Sequence, residues 1–290
     1  MKADKELKWG IHVNIQIAND FDLQKIANSG QCFRWEKTDT GWRILHGGHC
    51  LRIKSEMEVF CLDCTEAEFR TIWWDYFDFS ENYERIRAQI NSDADPFLWA
   101  ASEQEKGIRI LRQDPWEMLV TSILTQNRNI PAIQYCVRLL TEACGEMRRD
   151  LTGQVYYSFP SPEAILSLGM DGLARCAMGY RAKYVWAAAK ATLEGRFCPE
   201  VLMQKKEEEA METLTNLYGV GEKVASCVSL FGLHHLNAFP KDVWIRRILE
   251  REYPGGYPFD VYSPYNGVYQ QYMFAYYRNE KKSKYLSSSK

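Results

Sequence analysis

Between residues 9 and 62 apolar and polar positions alternate in short runs broken by Gly30, Gly41 and Gly47-Gly48, and Val13-Asn14-Ile15-Gln16-Ile17 repeats with a period of two. Side chains on a strand point to opposite faces in turn, so this pattern predicts antiparallel strands with one buried face. From about Thr65 the pattern turns helical, and Trp73, Trp74, Tyr76, Phe77 and Phe79 crowd together. That group is expected to pack under the sheet, with a base-stacking surface as the second reading. From Asp95-Pro96 onward the spacing of apolar residues stays near 3.6 almost to the end, which predicts helices. The fold class is therefore α+β. An antiparallel sheet domain with helices occupies 1–95 and a mainly α-helical region occupies 96–290.

Punctuation divides the helical region further. Asp114-Pro115 is a capping residue followed by a first-turn proline, and Leu119, Val120, Ile123 and Leu124 form the buried stripe of the helix it opens. Gln126-Asn127-Arg128-Asn129 interrupts two apolar helices with four large polar residues, either an ordinary exposed turn or donors aimed at a ligand. A helix, a glycine turn and a second helix follow over about 206–232, with Gly219 and Gly221 bracketing Val220. Glycines reach backbone conformations closed to other residues, and the unpaired N–H groups that begin the second helix suit a phosphate. Lys223 then sits in a first turn, where a cation is badly placed against the helix dipole. It shares a face with Cys227, while Val224, Val228 and Phe231 point to the core side. Asp242, after Pro240, is a natural cap for the next helix. An amine and a carboxylate at two helix starts fit covalent chemistry at a sugar or carbonyl carbon, but a hairpin that only binds phosphates fits the same spacing. The last helix carries Gln270 and Phe274 four apart on one face. Lys205 to Glu209 is a solvated charge run with no assigned function, Pro254 to Pro258 is a breaker segment, and Ser287 to Lys290 reads as a disordered polar tail.

Composition sharpens the picture at three points. Apolar residues make up 46%, ample for a core, and the formal net charge is −2. Residues 55–105 hold 13 acidic and 3 basic side chains, a local −10 that leaves the remainder at about +8, so any nucleic-acid face lies outside that stretch. Residues 173–196 carry Arg175, Arg181, Lys183, Lys190 and Arg196 against Glu194 alone, and the tail from Arg278 is basic; these are the expected phosphate contacts, or else a solvated face. Nine cysteines without regular spacing fit a reducing interior. Cys61 and Cys64 form one CxxC with no second pair after it, so no metal site is assigned. Met1 to Val13 does not read as a signal peptide and no apolar run spans a bilayer. The expected location is cytoplasmic, on the nucleoid in a bacterium.

Leu217-Tyr218-Gly219-Val220-Gly221-Glu222-Lys223-Val224-Ala225 followed by Phe239-Pro240-Lys241-Asp242-Val243 resembles the helix-hairpin-helix and Gly/Pro-Asp signature of DNA glycosylases, and more narrowly that of the 8-oxoguanine DNA glycosylase family. Ser29 to Trp35, Leu111 to Pro115, Gln126 to Ile130, Gly179 to Tyr184 and Gly267 to Phe274 match in the same order. The resemblance implies a bifunctional enzyme that extrudes 8-oxoguanine from duplex DNA. It implies that Lys223, as a neutral amine, forms a Schiff base with the sugar and permits β-elimination. Asp242 would stabilise the cationic sugar, Phe274 and Cys227 would lie on the two faces of the base, Gln270 would bond its Watson–Crick edge with Pro240 nearby, and the Gly30 carbonyl would read the N7–H that guanine lacks. Asn127, Arg128, Asn129, Tyr180, Arg181, Gly219 and Gly221 would contact DNA. No cofactor is implied; the cluster-bearing branch of the superfamily places cysteines after the aspartate, and this chain has none beyond Cys227. A cation on the hairpin carbonyls stays open. The partner implied is double-stranded DNA containing 8-oxoguanine, bound by a monomer, with no membrane.

Two departures from the family pattern stand out. Eukaryotic members read the cytosine opposite the lesion with residues matching Asn127 and Arg181 and with a second arginine that aligns with Ala132; Trp244 stands where they carry a phosphate-contacting histidine. A monofunctional glycosylase for other damaged bases, which keeps the aspartate without the lysine, and a non-catalytic hairpin protein are the competing readings.

Overall fold

The computed structural model describes residues 12–17, 19–56 and 59–288, with side chains as far as Asn279. The signal-peptide reading, apart from His12 and Val13, and the ends of the basic and polar tail lie outside the described residues or side chains. Five strands, β1 (Val13–Gln16), β2 (Trp35–Lys37), β3 (Trp42–His46), β4 (His49–Glu56) and β5 (Val59–Leu62), form an antiparallel sheet in the order β1-β5-β4-β3-β2. Register pairs Trp35 with Ile44, Ile44 with Leu51, and Leu62 with both Ile53 and Val13. Paired residues share a face, so the alternation in the sequence becomes one apolar surface. Helix α1 (Leu23–Asn28) covers it with Leu23 and Ile26, and the helical stretch from Glu66 to Tyr76 adds Phe69, Trp73 and Tyr76.

The aromatic cluster packs largely as expected. Trp73, Tyr76 and Phe77 are buried, and Trp35 Nε1 donates to Tyr76 Oη at 2.7 Å. Trp74 differs: it is 40% exposed and donates to Ser80 Oγ, because a π-helical turn over Phe69–Trp73 shifts the residues that follow.

The larger region carries α2 (Pro96–Gln104), α3 (Pro115–Leu124), α4 (Ile130–Cys144), α5 (Pro162–Arg175), α6 (Ala182–Leu193), α7 (Glu207–Thr215), α8 (Glu222–Phe231), α9 (Val243–Glu252) and α10 (Asn266–Ser288). Asp114 caps α3 as its sequence implies, Oδ1 accepting from Glu117 N at 2.7 Å, and Leu119, Val120, Ile123 and Leu124 are fully buried. Helix α8 lies between two cores. Val224, Ala225 and Val228 join the cluster built by α3 to α7, whereas Cys227, Leu230 and Phe231 join the one built with α2, α9 and α10. Phe231 therefore faces away from Val224 and Val228, contrary to the simple one-face reading.

Two other elements depart from the sequence pattern. Where the helical period was extended through residue 150, β6 (Met147–Arg149) and β7 (Val155–Tyr157) form a hairpin. Its turn is held by Asp150, whose Oδ1 accepts from Thr152 N and Gln154 N at 2.9 Å, and Arg52 reaches Asp150 Oδ2 from β4. Strands of three residues are too short to show a period. At the other end α10 runs on to Ser288, past the point where a disordered tail was expected.

The two regions are stitched together beside Gly30. Gln31 is fully buried, donates to Arg109 O at 2.8 Å and accepts from Leu111 N at 2.8 Å, and Gln113 Nε2 donates to Gln31 O at 2.9 Å. Arg34 pairs with Glu117 on α3 at 3.0 Å; burial pushes that carboxyl up and Arg34 pulls against it. A strand-end turn tied at three points holds its backbone carbonyls in place.

Candidate active site

The hairpin turn is built by glycine where the sequence places it. Gly219 has φ of +83°, and a Cβ there would stand 2.3 Å from the Tyr184 ring, so both conformation and space exclude a side chain. Its carbonyl accepts from Gln126 Nε2 at 3.0 Å, which joins the α3–α4 connection to the hairpin. Gly221 is the N-cap of α8 with no side-chain cap bond and would place a Cβ in open space. The first N–H groups of α8 thus stand beside room for an anion. Gly219→Ala is expected to cost roughly 1–3 kcal/mol in strain and to weaken duplex binding; thermal melting and duplex titration check this, and unchanged values would mean that Tyr184 moves aside freely.

Lys223 extends from the first turn of α8 to the end of α3, where Nζ donates to Thr125 Oγ1 at 2.8 Å. Thr125 Oγ1 in turn donates to Ser122 O at 2.6 Å. Cys227, one turn along, is 7% exposed; burial pushes its thiol up, with the Lys223 charge pulling the other way. Asp242 caps α9, Oδ1 accepting from Ile245 N at 2.8 Å. Burial pushes its carboxyl up, while that N–H and then the Lys223 charge hold it down. The amine, the thiol and the carboxylate therefore meet where three helix ends converge.

A second group gathers along α10. Gln270 is 3% exposed and donates from Nε2 to Pro240 O at 2.9 Å, while its Oε1 accepts from Gln271 Nε2 at 2.9 Å. Phe274 is half-buried against the core that contains Cys227. Gly30, with φ of +87°, faces it so closely that a Cβ would meet Phe274 Cε1 at 3.3 Å. The six residues Lys223, Cys227, Asp242, Pro240, Gln270 and Phe274 thus lie on elements packed into one core, and Gly30 closes on it from the sheet region.

The residues assigned to DNA divide. Asn127, in the left-handed conformation at φ of 51°, donates from Nδ2 to Tyr180 Oη at 3.3 Å. Tyr180 is 47% exposed and stacks edge-on with Tyr184, which meets Tyr218 likewise; Lys183 lies over the last two rings. Arg128, Asn129 and Arg181 are engaged within the fold. Arg128 donates to Ala177 O at 2.6 Å and contacts Cys136 Sγ, Asn129 caps α4 by accepting from Ala132 N at 3.0 Å, and Arg181, buried, donates to Gln126 O through Nε at 2.7 Å and through Nη2. Of the basic run, Lys190 and Arg196 both pair with Glu194, which leaves less free charge than the count suggested. Trp244 packs edge-on with Tyr277 and carries Arg247 over its ring.

Thr125 escaped the sequence reading, and Gln126 was legible only as a member of the polar run, because their partners, Lys223 and Gly219, stand more than ninety positions away. Cys61 does not pair with Cys64, which is buried. Instead Cys61, His12 and Asp63 bring ligand-type atoms within 4.8 Å of one another. His12 Nδ1 stands 2.9 Å from Asp63 Oδ1, and the charges of Arg52 and Lys54 act on the same carboxylate, so a hydrogen-bonded pair among cations accounts for the cluster. No described helix is long and apolar enough to cross a membrane.

Comparison with known proteins identifies the family. Residues 13–119 match the family described as 8-oxoguanine DNA glycosylase, N-terminal domain, and residues 120–255 match the HhH-GPD superfamily of base excision DNA repair proteins. The N-glycosylase/DNA lyase of Saccharomyces cerevisiae is 30% identical over 257 residues, 80% of this chain and 68% of that protein. The structure of MBOgg1 in complex with a low-affinity DNA ligand superposes with a TM-score of 0.88 at 34% identity, covering 94% of this chain and 97% of that one. The Clostridium acetobutylicum 8-oxoguanine glycosylase/lyase, in complex with double-stranded DNA containing cytosine opposite 8-oxoG, superposes at 0.86 with 28% identity and the same coverage. The chain belongs to the 8-oxoguanine DNA glycosylase family, the bifunctional N-glycosylase/DNA lyases of the helix-hairpin-helix base excision repair superfamily.

Proposed function

We propose that this chain, acting as a monomer on double-stranded DNA, excises 8-oxoguanine through Lys223 and then cleaves the strand at the sugar left behind. The observation that carries the assignment is Lys223 Nζ, drawn across to Thr125 Oγ1 at 2.8 Å beside Cys227 and Asp242 instead of lying in solvent. A base within a duplex shields its glycosidic carbon, so the nucleotide is extruded first. The base then enters between Phe274 and Cys227, and the Gly30 carbonyl accepts N7–H. Guanine would set a lone pair against that carbonyl, leaving two acceptors face to face at a cost of about 1–3 kcal/mol.

The Lys223 amine attacks the anomeric carbon as the bond to the base breaks, and the base leaves with the electron pair. Asp242, ionised, faces the positive charge that grows on the sugar and takes up the amine proton. The ring C–O bond then breaks, the ring oxygen keeping the electron pair and taking back the proton held by Asp242, while the nitrogen lone pair closes the C=N bond of the Schiff base. Removal of a proton from the adjacent carbon then expels the 3′ phosphate. The hairpin N–H groups beyond Gly221 and the exposed Tyr180 supply the backbone grip and the surface under the vacated position. Borohydride trapping on a duplex with 8-oxoguanine is the direct test: a covalent complex supports the mechanism, and base release without any trapped complex overturns it.

Opposite-base reading follows from the same surface. Ala132 offers only a methyl, and Arg181 is turned inward onto the Gln126 carbonyl, so the reading of the estranged base falls mainly to Asn127. One bidentate contact discriminates by about 1–3 kcal/mol. The enzyme is therefore expected to excise opposite cytosine with modest preference, and Ala132→Arg to sharpen it about ten-fold. Single-turnover rates against all four opposing bases measure this, and a strong cytosine preference in the unmodified protein refutes it.

A further inference from the structure

Arg278 stands one turn beyond Phe274 on α10, its guanidinium carbon 5.7 Å from the centroid of that ring. Nη2 donates to the carbonyl of Asn28, in the turn that leads to Gly30. A Cβ built on Gly30 would lie 3.6 Å from Nη1 and 3.3 Å from Phe274 Cε1, so the cation and the ring present themselves together to the Gly30 backbone. Nε and Nη1 are buried without a hydrogen-bond partner among the described residues. Among the described residues Glu105 is the acid that acts on Arg278, and its Oε1 accepts from Asn279 Nδ2; burial pulls the guanidinium below its ordinary value. Buried donors left unpaired are costly, and more so on a charged group. An acceptor supplied by the ligand would relieve that cost.

The damaged base carries such an acceptor. 8-Oxoguanine differs from guanine at two adjacent atoms, an N–H at position 7 and a carbonyl at C8. A protein surface complementary to that pair sets an acceptor beside a donor, and Arg278 Nη1, 3.6 Å from where a Gly30 Cβ would stand, brings a donor next to the residue whose carbonyl is the proposed acceptor. We propose that Arg278 is a specificity residue that donates to the C8 carbonyl of the extruded base while the Gly30 carbonyl accepts N7–H. The inference rests on the reading of Gly30 and Phe274 as walls of the base pocket and adds a second criterion to it. One oxidised edge is then recognised by two contacts, and guanine, which lacks both groups, leaves the Arg278 donors unpaired as well.

Single-turnover excision by Arg278→Leu and Arg278→Lys in the full chain tests this, with incision at a preformed abasic site measured in parallel. Arg278→Leu should slow release of 8-oxoguanine by about ten-fold or more, equivalent to about 1.4 kcal/mol, and leave abasic-site incision unchanged because no base is read there. Arg278→Lys, which keeps a cation, should recover part of the loss and carries the test should the leucine variant fail to fold. A duplex with 8-thioguanine separates base contact from mere support of the turn, since it keeps N7–H and weakens the C8 acceptor. The wild type should prefer the oxygen base, and that preference should collapse in Arg278→Leu. An unchanged oxygen-to-sulfur preference, or abasic incision that falls in step with excision, overturns the proposal. The underlying pocket fails separately: full excision by Phe274→Ala would remove it whatever Arg278 does.

Discussion

Lys223→Gln abolishes borohydride trapping and lowers base release by about a thousand-fold or more, the scale seen when a covalent nucleophile is deleted, while duplex affinity stays close to that of the wild type. Glutamine keeps a polar chain of similar length, so the donor to Thr125 Oγ1 is kept and the α3–α8 contact survives. The hairpin is untouched, because Gly219 is held by Gln126 and by the Tyr184 ring and not by Lys223. Trapping on 8-oxoguanine duplex, single-turnover release and a filter-binding titration read the three effects apart. One further consequence is internal to the site. The Lys223 charge is what opposes burial at the Cys227 thiol, so the variant's thiol should ionise at higher pH and react more slowly with an alkylating reagent. Undiminished strand scission would remove the Schiff-base assignment; a loss of duplex binding in parallel would recast Lys223 as a phosphate contact, the role open to it from spacing alone.

How far the sequence carried the site follows the reach of each interaction. Capping and turn chemistry are local, so Asp114, Asp242, Gly219 and the stripe Leu119 to Leu124 were legible from a few neighbours, and the structure has them so. The antiparallel sheet, though not its five-strand order, followed from its period, while the β6–β7 hairpin did not, because three-residue strands cannot display one. The polar run Gln126 to Asn129 shows the limit best. Residue types alone left it as a turn or a set of donors, and its members serve different ends: Gln126 holds Gly219, Asn129 caps α4, Arg128 ties down Ala177, and Asn127 extends toward Tyr180. Partners about fifty to ninety positions away decide the roles of Gln126, Asn127 and Arg128, and only Asn129 takes its own from a neighbour, the Ala132 N–H three residues on. Thr125 was invisible for the same reason, and Arg278, expected only as the start of a phosphate-contacting basic tail, instead lies against the Asn28 carbonyl and the Phe274 ring, since nothing next to either in the chain hints at Lys223 or Gly30.

Asp242→Asn slows base release by about a hundred-fold, within the range for removing one electrostatic stabiliser of a transition state, without unfolding the protein. Asparagine caps helices about as well as aspartate, so the bond from Ile245 N that Asp242 Oδ1 accepts is preserved. The pH dependence makes the test specific. Burial raises the Asp242 carboxyl above its ordinary value, against the opposing pull of the Ile245 N–H and the Lys223 charge. Only the ionised form can face a sugar cation, so the rate should fall on the acid side with an apparent pKa above the ordinary aspartate value. In Asp242→Asn no group titrates there and that limb should vanish from the slower profile. The sign for stability is the reverse of the usual carboxylate case. A group whose folded pKa is raised favours the fold below its unfolded pKa and loses that contribution as pH rises through the folded value. At neutral pH the ionised, buried Asp242 is therefore a net burden, and the asparagine variant should melt at the same temperature as the wild type or higher. A variant that melts lower yet releases base at the wild-type rate would make Asp242 a cap and nothing else, and the role of facing the sugar cation would pass to some other group.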